Sequence, residues 1–362
     1  MKKILFIAAH RKDRAPGQRF RFEQYFSFLE ENGYQCHLSF IVTEKDDQVL
    51  YKEGHYLQKF FIALKGALKR LQEVINAREY DIIFIFREAF FTGSYFFERW
   101  FRKSGAKIVF DFDDAIWVDN ISEGNKKFRW MKDSAKTPSI IALSDMVFAG
   151  NRYLADYASK YNGNVKIIPT TIDTDKYRHS GRTPEAGEPV TIGWSGSITT
   201  IRHFEYAVPF LRIIKQTYGD RVKIKVVGDR SYRNDELGVC GLAWIAEDEI
   251  KELSEFDIGI MPLPDDEWAK GKCGLKGLQY MALGIPTVMS PVGVNAEIIQ
   301  DGVNGFLASS VQEWVNKLSV LIESPELRKK TGDAGLATVV EKYSVHAQKH
   351  NYLRYFNELI NS

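Results

Sequence analysis

The sequence predicts an α/β protein with two doubly wound parallel sheets, one after the other along the chain. Short apolar runs rich in β-branched residues alternate with longer amphipathic segments, which is the pattern of right-handed βαβ units. The alternation stops once, at a polar stretch containing glycine and proline, and then starts again. The 362 residues are also too many for one ordinary hydrophobic core, so two domains are expected.

The first series of strands and helices fills the N-terminal half of the chain. Amphipathic spacing predicts helices between the strands, the clearest at residues 20–32 and 54–77. The N-terminus does not have the pattern of a signal peptide, because its apolar run ends after six residues and a basic stretch follows. We therefore expect a buried first strand there. The predicted strands are residues 4–9, 37–42, 82–86, 108–111, 146–149 and 165–168.

A linker is predicted at residues 178–189, where RHSGRTPEAGEP has almost no apolar side chains. This divides the chain into a domain at residues 1–177 and a domain at residues 178–344. The second domain is predicted to contain strands at residues 190–194, 222–227, 242–244, 258–261, 287–289 and 305–308. Its predicted helices are residues 204–218, 247–254, 275–283, 311–323 and 325–342.

Charge is distributed unevenly between the two halves. Residues 1–170 carry 27 basic and 21 acidic side chains, whereas the remainder carries 22 and 26. A domain that meets an anionic partner is one interpretation, and chance variation is the other. The three cysteines, Cys36, Cys240 and Cys273, are scattered, which argues against a disulfide framework and fits a reducing compartment. No run approaches the roughly 18 apolar residues of a membrane span, so we expect a cytoplasmic protein.

Ligands of open parallel sheets bind beyond the carboxyl ends of the strands. The run GWSGS, which begins at Gly193, leaves the first strand of the second domain. Gly196 would let the backbone approach a ligand, and Ser197 would cap the turn or contact a phosphate. Arg202 follows within reach. An ordinary glycine turn and a solvated helix start explain these residues equally well.

A stronger signal opens the helix predicted at residues 275–283. Lys272 and Lys276 are four residues apart, which predicts two ammonium groups on one side of the helix start. The positive end of the helix dipole repels cations, so the pair makes sense when an anion is bound. A diphosphate would take both lysines together with the backbone around Gly274 and Leu275. Two solvated surface lysines are the alternative.

The run LKGLQYMALGIPTVMSPVG, which begins at Leu275, resembles the C-terminal domain of retaining glycosyltransferases of family 4. GWSGS upstream and EIIQDGVNGFL downstream match the same family, and the resemblance covers almost the whole chain. It implies the GT-B fold, in which two Rossmann-like domains face a cleft. The C-terminal domain would bind the nucleotide-sugar donor and the N-terminal domain the acceptor. A last helix at residues 345–360 would cross back, adding residues 345–362 to the first domain.

One departure from the family concerns its pair of glutamates, which would fall on Gly271 and Gln279. The second glutamate normally holds the ribose, and Gln279 can still form hydrogen bonds there without charge. The first normally touches the donor sugar, which Gly271 cannot do. Lys272, Asp265 and Asp266 are the candidate substitutes. The departure leaves the identity of the donor sugar open. It also leaves open whether the activity is weakened or lost.

In the N-terminal domain, carboxylates end the fourth predicted strand at Asp111, Asp113 and Asp114. The D-x-D spelling matches the metal-binding signature of GT-A enzymes, but we reject that role because two lysines already serve the diphosphate. Asp113 is instead the candidate for contacting acceptor or donor sugar. The alternative is helix capping with a salt bridge to Arg87 or Arg129.

Three further candidates follow the first strand. Gly17 and Arg19 would face the donor phosphates, and His10, which ends the strand, is a polar candidate that is as readily structural.

The resemblance implies a retaining, hexosyltransferase-like enzyme that moves a sugar from a UDP- or GDP-linked donor to a glycan or lipid-linked acceptor. Surface polysaccharide assembly is the expected setting, and no metal is required. Asp113, Lys272 and Lys276 are the expected catalytic residues. The alternatives are a GT-B nucleotide-sugar epimerase and a non-catalytic nucleotide-sugar-binding protein. A dinucleotide dehydrogenase and nucleic-acid binding both lack the necessary patterns.

Two segments combine basic and aromatic residues. Residues 55–78 have the spacing of a helix with apolar and basic side chains. Residues 95–103 also combine basic and aromatic side chains. Such helices can lie on an anionic bilayer, which would put the protein at the inner face of the membrane. The alternative is a helix that covers the sheet and turns a solvated outer face to water.

Overall fold

The computed structural model describes residues 1–52, 54–118, 135–178 and 187–361. They form two compact units, of which one contains Met1–Thr170 and Gln348–Ser362 and the other Thr171–Ala347. The sequence places the boundary after residue 177, a little later than Thr170. Residues 179–186, most of the predicted linker, lie outside the described part of the chain.

The first unit contains a six-stranded sheet in which every pairing is parallel. The strand order is β2-β1-β3-β4-β5-β6, which confirms the predicted parallel α/β class. The predicted strand at residues 37–42 is wrong by three residues, because β2 takes its register from β1, with Lys2 opposite Tyr34. The strands are β1 Lys2–Ile7, β2 Tyr34–Ser39, β3 Ile82–Phe86, β4 Lys107–Phe112, β5 Met146–Ala149 and β6 Val165–Ile167.

Helices connect these strands. The predicted helix at residues 20–32 is interrupted, because the backbone leaves the helical region at Phe22 and a 3₁₀ turn follows. The ring of Phe22 stacks on Phe6 and Tyr25 stacks on Tyr352, so core packing overrides the local helical pattern. The helices are α1 Pro16–Arg19, α2 Phe26–Glu31, α3 Glu44–Leu50, α4 Tyr56–Asn76, α5 Phe96–Arg102, α6 Lys136–Leu143 and α7 Arg152–Ala158.

The second unit contains a five-stranded parallel sheet in the order β13-β12-β11-β7-β8 and a short antiparallel hairpin, β9 with β10. The predicted strand at residues 242–244 is wrong. Leu242 forms only an isolated bridge with Val227, while the indole of Trp244 donates to Glu249. The strands are β7 Val190–Ser195, β8 Val222–Val227, β9 Arg233–Asn234, β10 Val239–Cys240, β11 Ile258–Met261, β12 Thr287–Met289 and β13 Phe306–Leu307.

The predicted helix at residues 204–218 is split in two, because Pro209 cannot supply the N–H group that a continuing helix needs and instead starts the second piece. The predicted helix at residues 325–342 ends at Thr338 and continues as a π-helical turn. The helices are α8 Ile201–Glu205, α9 Val208–Tyr218, α10 Glu249–Ser254, α11 Glu267–Lys270, α12 Leu275–Ala282, α13 Asn295–Ile298, α14 Val311–Glu323, α15 Pro325–Thr338 and α16 Val345–Asn361.

The last helix, α16, starts in the second unit, and its residues from Gln348 onward belong to the first. Within the first unit, its Tyr352 hydroxyl donates to the carbonyl of Arg21 at 2.6 Å. Its Asn357 accepts a hydrogen bond from the Tyr34 hydroxyl at 2.7 Å. These contacts tie the end of the chain to the first sheet.

Each sheet contains one switch point, where successive strands are added on opposite sides of the first. In the first unit β1 lies between β2 and β3, and in the second β7 lies between β8 and β11. Ligands of open parallel sheets bind beside such points, at the carboxyl ends of the strands. A ligand is therefore expected beside the loops after β1, β3, β7 and β11.

Candidate functional site

The start of α12, in the second unit, is open to a ligand. Gly274 precedes the helix at a φ of +70°, a conformation that a side chain would strain. No side chain caps this helix start among the described residues, and the first turn has no acidic residue. Its leading N–H groups and the positive end of its dipole thus remain unmatched by a carboxylate. This is the arrangement of an anion site.

The two predicted lysines lie beside different tryptophans. The Lys276 ammonium is 5.6 Å from the centre of the Trp194 ring, and the Lys272 ammonium is 4.9 Å from that of Trp268. Both side chains are half-buried. Because α12 begins at Leu275, Lys272 precedes the helix, and the expectation that helical spacing puts both ammonium groups on one side is wrong. The loop, rather than the helix, sets the position of Lys272.

The loop after β7 meets the same tryptophan. A side chain on Gly196 would come within 2.2 Å of the Trp194 ring, so only glycine fits there. Gly196 and Lys276 are therefore brought together around Trp194. Ser197 is exposed, and its hydroxyl lies 3.0 Å from that of Thr199 in the turn before α8. Arg202 is exposed on α8.

Tyr280 fastens α12 to the end of β7. Its hydroxyl accepts a hydrogen bond from the backbone N–H of Ser195 at 2.8 Å and lies 2.8 Å from the Ser195 hydroxyl. Burial raises the pKa of Tyr280 well above its ordinary value, so the phenol stays protonated. The helix start is thus held at the carboxyl end of β7 by a buried contact.

Gln279 is buried, and its side chain belongs to a chain of hydrogen bonds. Its amide nitrogen donates to the Tyr177 hydroxyl at 2.9 Å, and that hydroxyl lies 2.6 Å from one carboxylate oxygen of Glu249. The other oxygen accepts from the indole of Trp244 at 2.8 Å. A buried carboxyl group is therefore linked to Gln279 through one tyrosine.

This chain fixes the orientation of the Gln279 amide. Tyr177 donates its hydroxyl proton to Glu249 and uses its oxygen to accept from Gln279. Gln279 must then present its nitrogen to Tyr177 and turn its oxygen the other way. That oxygen has no hydrogen-bond partner among residues 1–52, 54–118, 135–178 and 187–361. Gln279 therefore offers an oriented acceptor, as a glutamate would.

The candidate substitutes for the first family glutamate already have structural contacts. Asp266 caps α11 by accepting from the Ala269 N–H at 2.7 Å. Asp265 is exposed and forms a salt bridge with Lys270 at 3.1 Å. Gly271, at the family position itself, is buried at the end of α11.

In the first unit, Gly17 and Asp113 lie against each other. A side chain on Gly17 would fall 2.9 Å from a carboxylate oxygen of Asp113 and 2.8 Å from the ring of Phe86. The Arg87 guanidinium contacts Asp113 at 2.6 Å and Asp114 at 2.5 Å, at the carboxyl ends of β3 and β4. The predicted Arg87 salt bridge is thus present, whereas Arg129 lies outside the described residues. Arg19, in α1, stacks over Phe20 at 4.9 Å.

Asp111, the first carboxylate of the run, is fully buried and has a structural role in the core. It accepts from the guanidinium of Arg21, which also donates to the Ile168 carbonyl. Burial raises the pKa of Asp111, and Arg21 opposes that change. Within the part of the chain that the structure describes, no cluster of three His, Cys, Asp or Glu side chains is arranged to hold a metal ion.

His10 is part of a cluster of charged groups after β1. Its Nε2 lies 2.8 Å from the Tyr51 hydroxyl, and its Nδ1 lies 3.7 Å from Asp47, which also binds Arg11 and Arg14. Burial lowers the pKa of His10 to about 4. The imidazole is therefore neutral near pH 7, which fits a structural role better than that of a cation.

Sequence reasoning missed several residues of these sites. The sequence indicates Arg87 only as a salt-bridge partner, although it has a φ of +63° at the end of β3, a rare conformation for arginine. Tyr177 and Glu249 are far from Gln279 along the chain, and no local pattern connects them. The sequence indicates Trp194 only as a member of the glycine-containing run GWSGS.

Comparison with known proteins supports these assignments at the level of fold and domain. Residues 189–324 match a family model described as glycosyl transferases group 1. This stretch runs from β7 to α14 and contains every second-unit candidate apart from Tyr177. No curated protein sequence matches the chain.

Solved structures resemble the chain over its full length. Sucrose-phosphate synthase from Thermosynechococcus elongatus aligns with a TM-score of 0.71 and 14% identity, covering 100% of both chains. A glycosyltransferase from Rickettsia africae ESF-5 gives 0.70 and 16%, covering 99% of this chain and 98% of its own. HepE from Anabaena, in complex with UDP and glucose, gives 0.67 and 14%, covering 99% and 100%. The chain thus has the predicted GT-B fold, and the stretch that matches the group 1 glycosyltransferase model lies within its second unit.

Proposed function

We propose that the protein is a retaining glycosyltransferase that moves a sugar from a UDP- or GDP-linked donor to a glycan or lipid-linked acceptor. The observation that carries the proposal is the start of α12, an uncapped helix with Lys276 in its first turn. The match of residues 189–324 to group 1 glycosyltransferases supports it. HepE, bound to UDP and glucose, makes UDP-sugars the first donors to test.

In the proposed reaction, the bond between the anomeric carbon and the β-phosphate oxygen breaks, and negative charge grows on the leaving diphosphate. Lys276, Lys272 and the N–H groups around Gly274 and Leu275 would stabilise that charge. One such fixed interaction is commonly worth about 3 kcal/mol. The acceptor oxygen attacks the anomeric carbon on the same face of the sugar from which the diphosphate departs. The proton of the acceptor hydroxyl passes to the leaving phosphate. The sugar keeps its anomeric configuration, and no metal is required.

Gln279 would accept a hydrogen bond from a ribose hydroxyl. Its amide oxygen is the atom left over after Tyr177 has accepted from the nitrogen. Gly196 and Ser197, in the loop after β7, would contact the donor phosphates together with Arg202 on α8. The family usually has a glutamate at this position, whereas here the carboxyl group of Glu249 lies one tyrosine further away.

In the first unit, Asp113 would contact sugar hydroxyls, with Gly17 and Arg19 close to the donor phosphates. Asp113 is paired with Arg87 and partly exposed. A neutralised carboxylate suits hydrogen bonding to a neutral sugar, whereas a bare carboxylate would repel the diphosphate.

Among the described residues, no helix has the length and apolar character needed to cross a membrane.

The proposal can be tested by incubating the full chain with UDP- and GDP-sugars and following release of the nucleoside diphosphate. A thermal-shift panel should first identify the nucleotide, because a ligand that binds the folded state raises Tm by mass action. Release of UDP or GDP that depends on Lys276 supports the transferase. Binding without turnover supports the non-catalytic alternative, and a change of sugar stereochemistry without cleavage supports an epimerase.

A further inference from the structure

Asn295, the first residue of α13, is fully buried, and only one of its two polar side-chain atoms has a hydrogen-bond partner. Its amide nitrogen donates to the carbonyl of Ser290 at 3.1 Å. Its amide oxygen is buried as well and has no partner among the residues that the structure describes. A buried acceptor without a donor costs free energy, and such atoms are rare in folded proteins.

The direction of this amide is fixed by its neighbours. A carbonyl oxygen can only accept, so the nitrogen of Asn295 must face Ser290 and the oxygen must point away from it. Ser290 is itself held in place, because its hydroxyl accepts from the N–H of Leu263 at 2.9 Å and its own N–H donates to the carbonyl of Met261 at 3.2 Å. The loops after β11 and β12 therefore hold the Asn295 oxygen in one position.

The unpartnered amide oxygen lies beside the start of α12. A side chain on Gly274 would fall 3.6 Å from this oxygen, 3.5 Å from Val294 and 2.4 Å from Ile298, so α13 packs directly against the residue that precedes the helix. The loop after β12 also touches the end of α11, because a side chain on Gly293 would come within 2.6 Å of the carbonyl of Lys270. The oxygen therefore belongs to the wall of the proposed anion site.

The start of α12 and this oxygen bind opposite kinds of group. The uncapped N–H groups of the helix and the Lys276 ammonium can bind only acceptors, such as phosphate oxygens. The Asn295 oxygen can bind only a donor, and an ionised phosphate has none. A ligand that satisfies both must carry a hydroxyl or amide N–H group next to its phosphate. A nucleotide-sugar has such groups, whereas inorganic phosphate and diphosphate do not.

The position of the oxygen favours the sugar over the ribose. Gln279, which the proposed function assigns to the ribose, lies five residues beyond Gly274, about 7.5 Å further along α12. Lys276, which it assigns to the diphosphate, lies between the two positions. This order matches the covalent order of ribose, diphosphate and sugar in the donor.

We propose that Asn295 is a specificity residue whose amide oxygen accepts a hydrogen bond from a hydroxyl of the transferred sugar. The inference rests on the proposed function and restricts its donors to sugars that keep a free hydroxyl at the contacted carbon. Gly271, at the position of the family's first glutamate, has no side chain to make such a contact. Because the oxygen is closed to water in the ligand-free chain, the contact forms when α13 and Gly274 separate slightly around the bound sugar. A buried water that bonds to the oxygen is the competing explanation.

The experiment is calorimetric titration of the full chain with UDP and GDP, with UDP-glucose and GDP-mannose, and with the monodeoxy forms of both sugars. Asn295→Leu keeps the size of the side chain and removes the oxygen. It should bind the nucleotide-sugar about five- to tenfold more weakly, because one hydrogen bond is lost, and bind the nucleoside diphosphate as the wild-type chain does. One monodeoxy donor should bind the wild-type chain more weakly than its parent by a similar factor, and Asn295→Leu should not distinguish the two.

The matched control is Asn304→Leu, at another buried asparagine of the second unit. The Asn304 oxygen accepts from the N–H of Gln300 at 2.7 Å, and its nitrogen donates to the carbonyl of Ile298 at 3.0 Å. Both polar groups of this side chain are therefore used within the fold. Asn304→Leu should lower Tm and should weaken binding of UDP and UDP-glucose, if at all, by the same factor.

Thermal unfolding without any ligand gives a second readout. Asn295→Leu should leave Tm nearly unchanged, because a buried oxygen without a partner is removed and the Ser290 carbonyl keeps its hydrogen bond from the N–H of Val292 at 2.8 Å. A fall in Tm as large as that of Asn304→Leu would mean that the amide is structural, and it would overturn the inference.

The titrations separate this inference from the proposed function. If the wild-type chain binds neither the UDP nor the GDP donors, both fail. If it binds a nucleotide-sugar, two results overturn the inference alone. One is an equal loss of affinity for nucleotide-sugar and nucleoside diphosphate in Asn295→Leu. The other is a variant that distinguishes the monodeoxy donors as the wild-type chain does, which is the result expected if the oxygen binds only water.

Discussion

The carboxyl ends of the two sheets differ in how their charged side chains are arranged. In the first unit, the carboxylates after β4 are paired with arginines, Asp111 with Arg21 and Asp113 with Arg87. In the second unit, Lys276 lies in the first turn of a helix that has neither a capping side chain nor an acidic residue there. One sheet end pairs its carboxylates with arginines, and the other has a lysine in the first turn of a helix.

This difference separates two kinds of recognition. Fixed positive groups stabilise the folded protein poorly when they stand at the positive end of a helix, so they make most sense as part of a site for an anion. Paired carboxylates carry little net field but keep oriented oxygen atoms for hydrogen bonds. Under the proposed function, the second unit would bind the diphosphate and the first would bind neutral sugar hydroxyls.

Lys276→Ala should have the largest effect. We expect the transfer rate to fall by roughly two to three orders of magnitude, because a fixed charge on the leaving diphosphate is lost. The free energy of unfolding should hardly change, or rise slightly, because a cation has left the positive end of a helix. Binding of the plain nucleoside should survive. Steady-state kinetics, urea unfolding and calorimetry measure these three quantities.

The control for this variant is Lys329→Ala, which removes an exposed lysine from α15 of the same unit. It should transfer sugar at the normal rate. Lys272→Ala should resemble Lys276→Ala with a smaller loss. Normal transfer by Lys276→Ala, or inactivity caused only by unfolding, would refute the diphosphate assignment.

Asp113→Asn should lower the transfer rate by about 10- to 100-fold, the range expected for a lost hydrogen bond to a charged group. The affinity for nucleoside diphosphate should not change, since Asp113 is proposed to contact the sugar and not the diphosphate. Asp114→Asn is the matched control, because Arg87 holds both carboxylates. Equal losses in the two variants would mean that Asp113 acts only through Arg87.

Gln279→Leu should weaken nucleotide binding by about 1–2 kcal/mol, from the loss of one hydrogen bond to the ribose. Tyr177→Phe should cause a smaller loss, because the Gln279 amide is then free to turn. Calorimetric titration with UDP and GDP compares the two variants. Unchanged affinity in Gln279→Leu would remove this residue from the site.

The smallest effect concerns pH and the first unit. Burial lowers the pKa of His10 to about 4, so the folded state resists taking up a proton that the unfolded state binds below about pH 6.5. The stabilising contribution is therefore present above pH 6.5 and is lost as pH falls toward 4. Urea midpoints should decline over this range, and less steeply in His10→Gln.

His346→Gln is the control for that measurement, since His346 is exposed and pairs with Asp175. It should not reproduce the change in slope that His10→Gln causes. An identical slope in His10→Gln would mean that other groups account for the whole decline.

The sequence by itself determined the fold class and most of the elements. Periodicity is a local property, so buried strands such as Ile82–Phe86 and Ile258–Met261 are visible from their residues alone. The start of α12 is equally local, because Gly274, Lys276 and the missing acidic residue are neighbours along the chain. Local patterns therefore sufficed for the fold and for the proposed anion site.

Only the tertiary structure decided which groups meet across long stretches of chain. The link from Gln279 through Tyr177 to Glu249 joins three distant segments, and hydrogen bonding between them fixes the direction of one amide. The rotation of α4 is of the same kind. Amphipathic spacing predicts that one face is buried, but the strand-end carbonyls of Ala8 and Ala89 bind Arg70 and turn the apolar face outward. Such choices depend on partners that no local pattern contains.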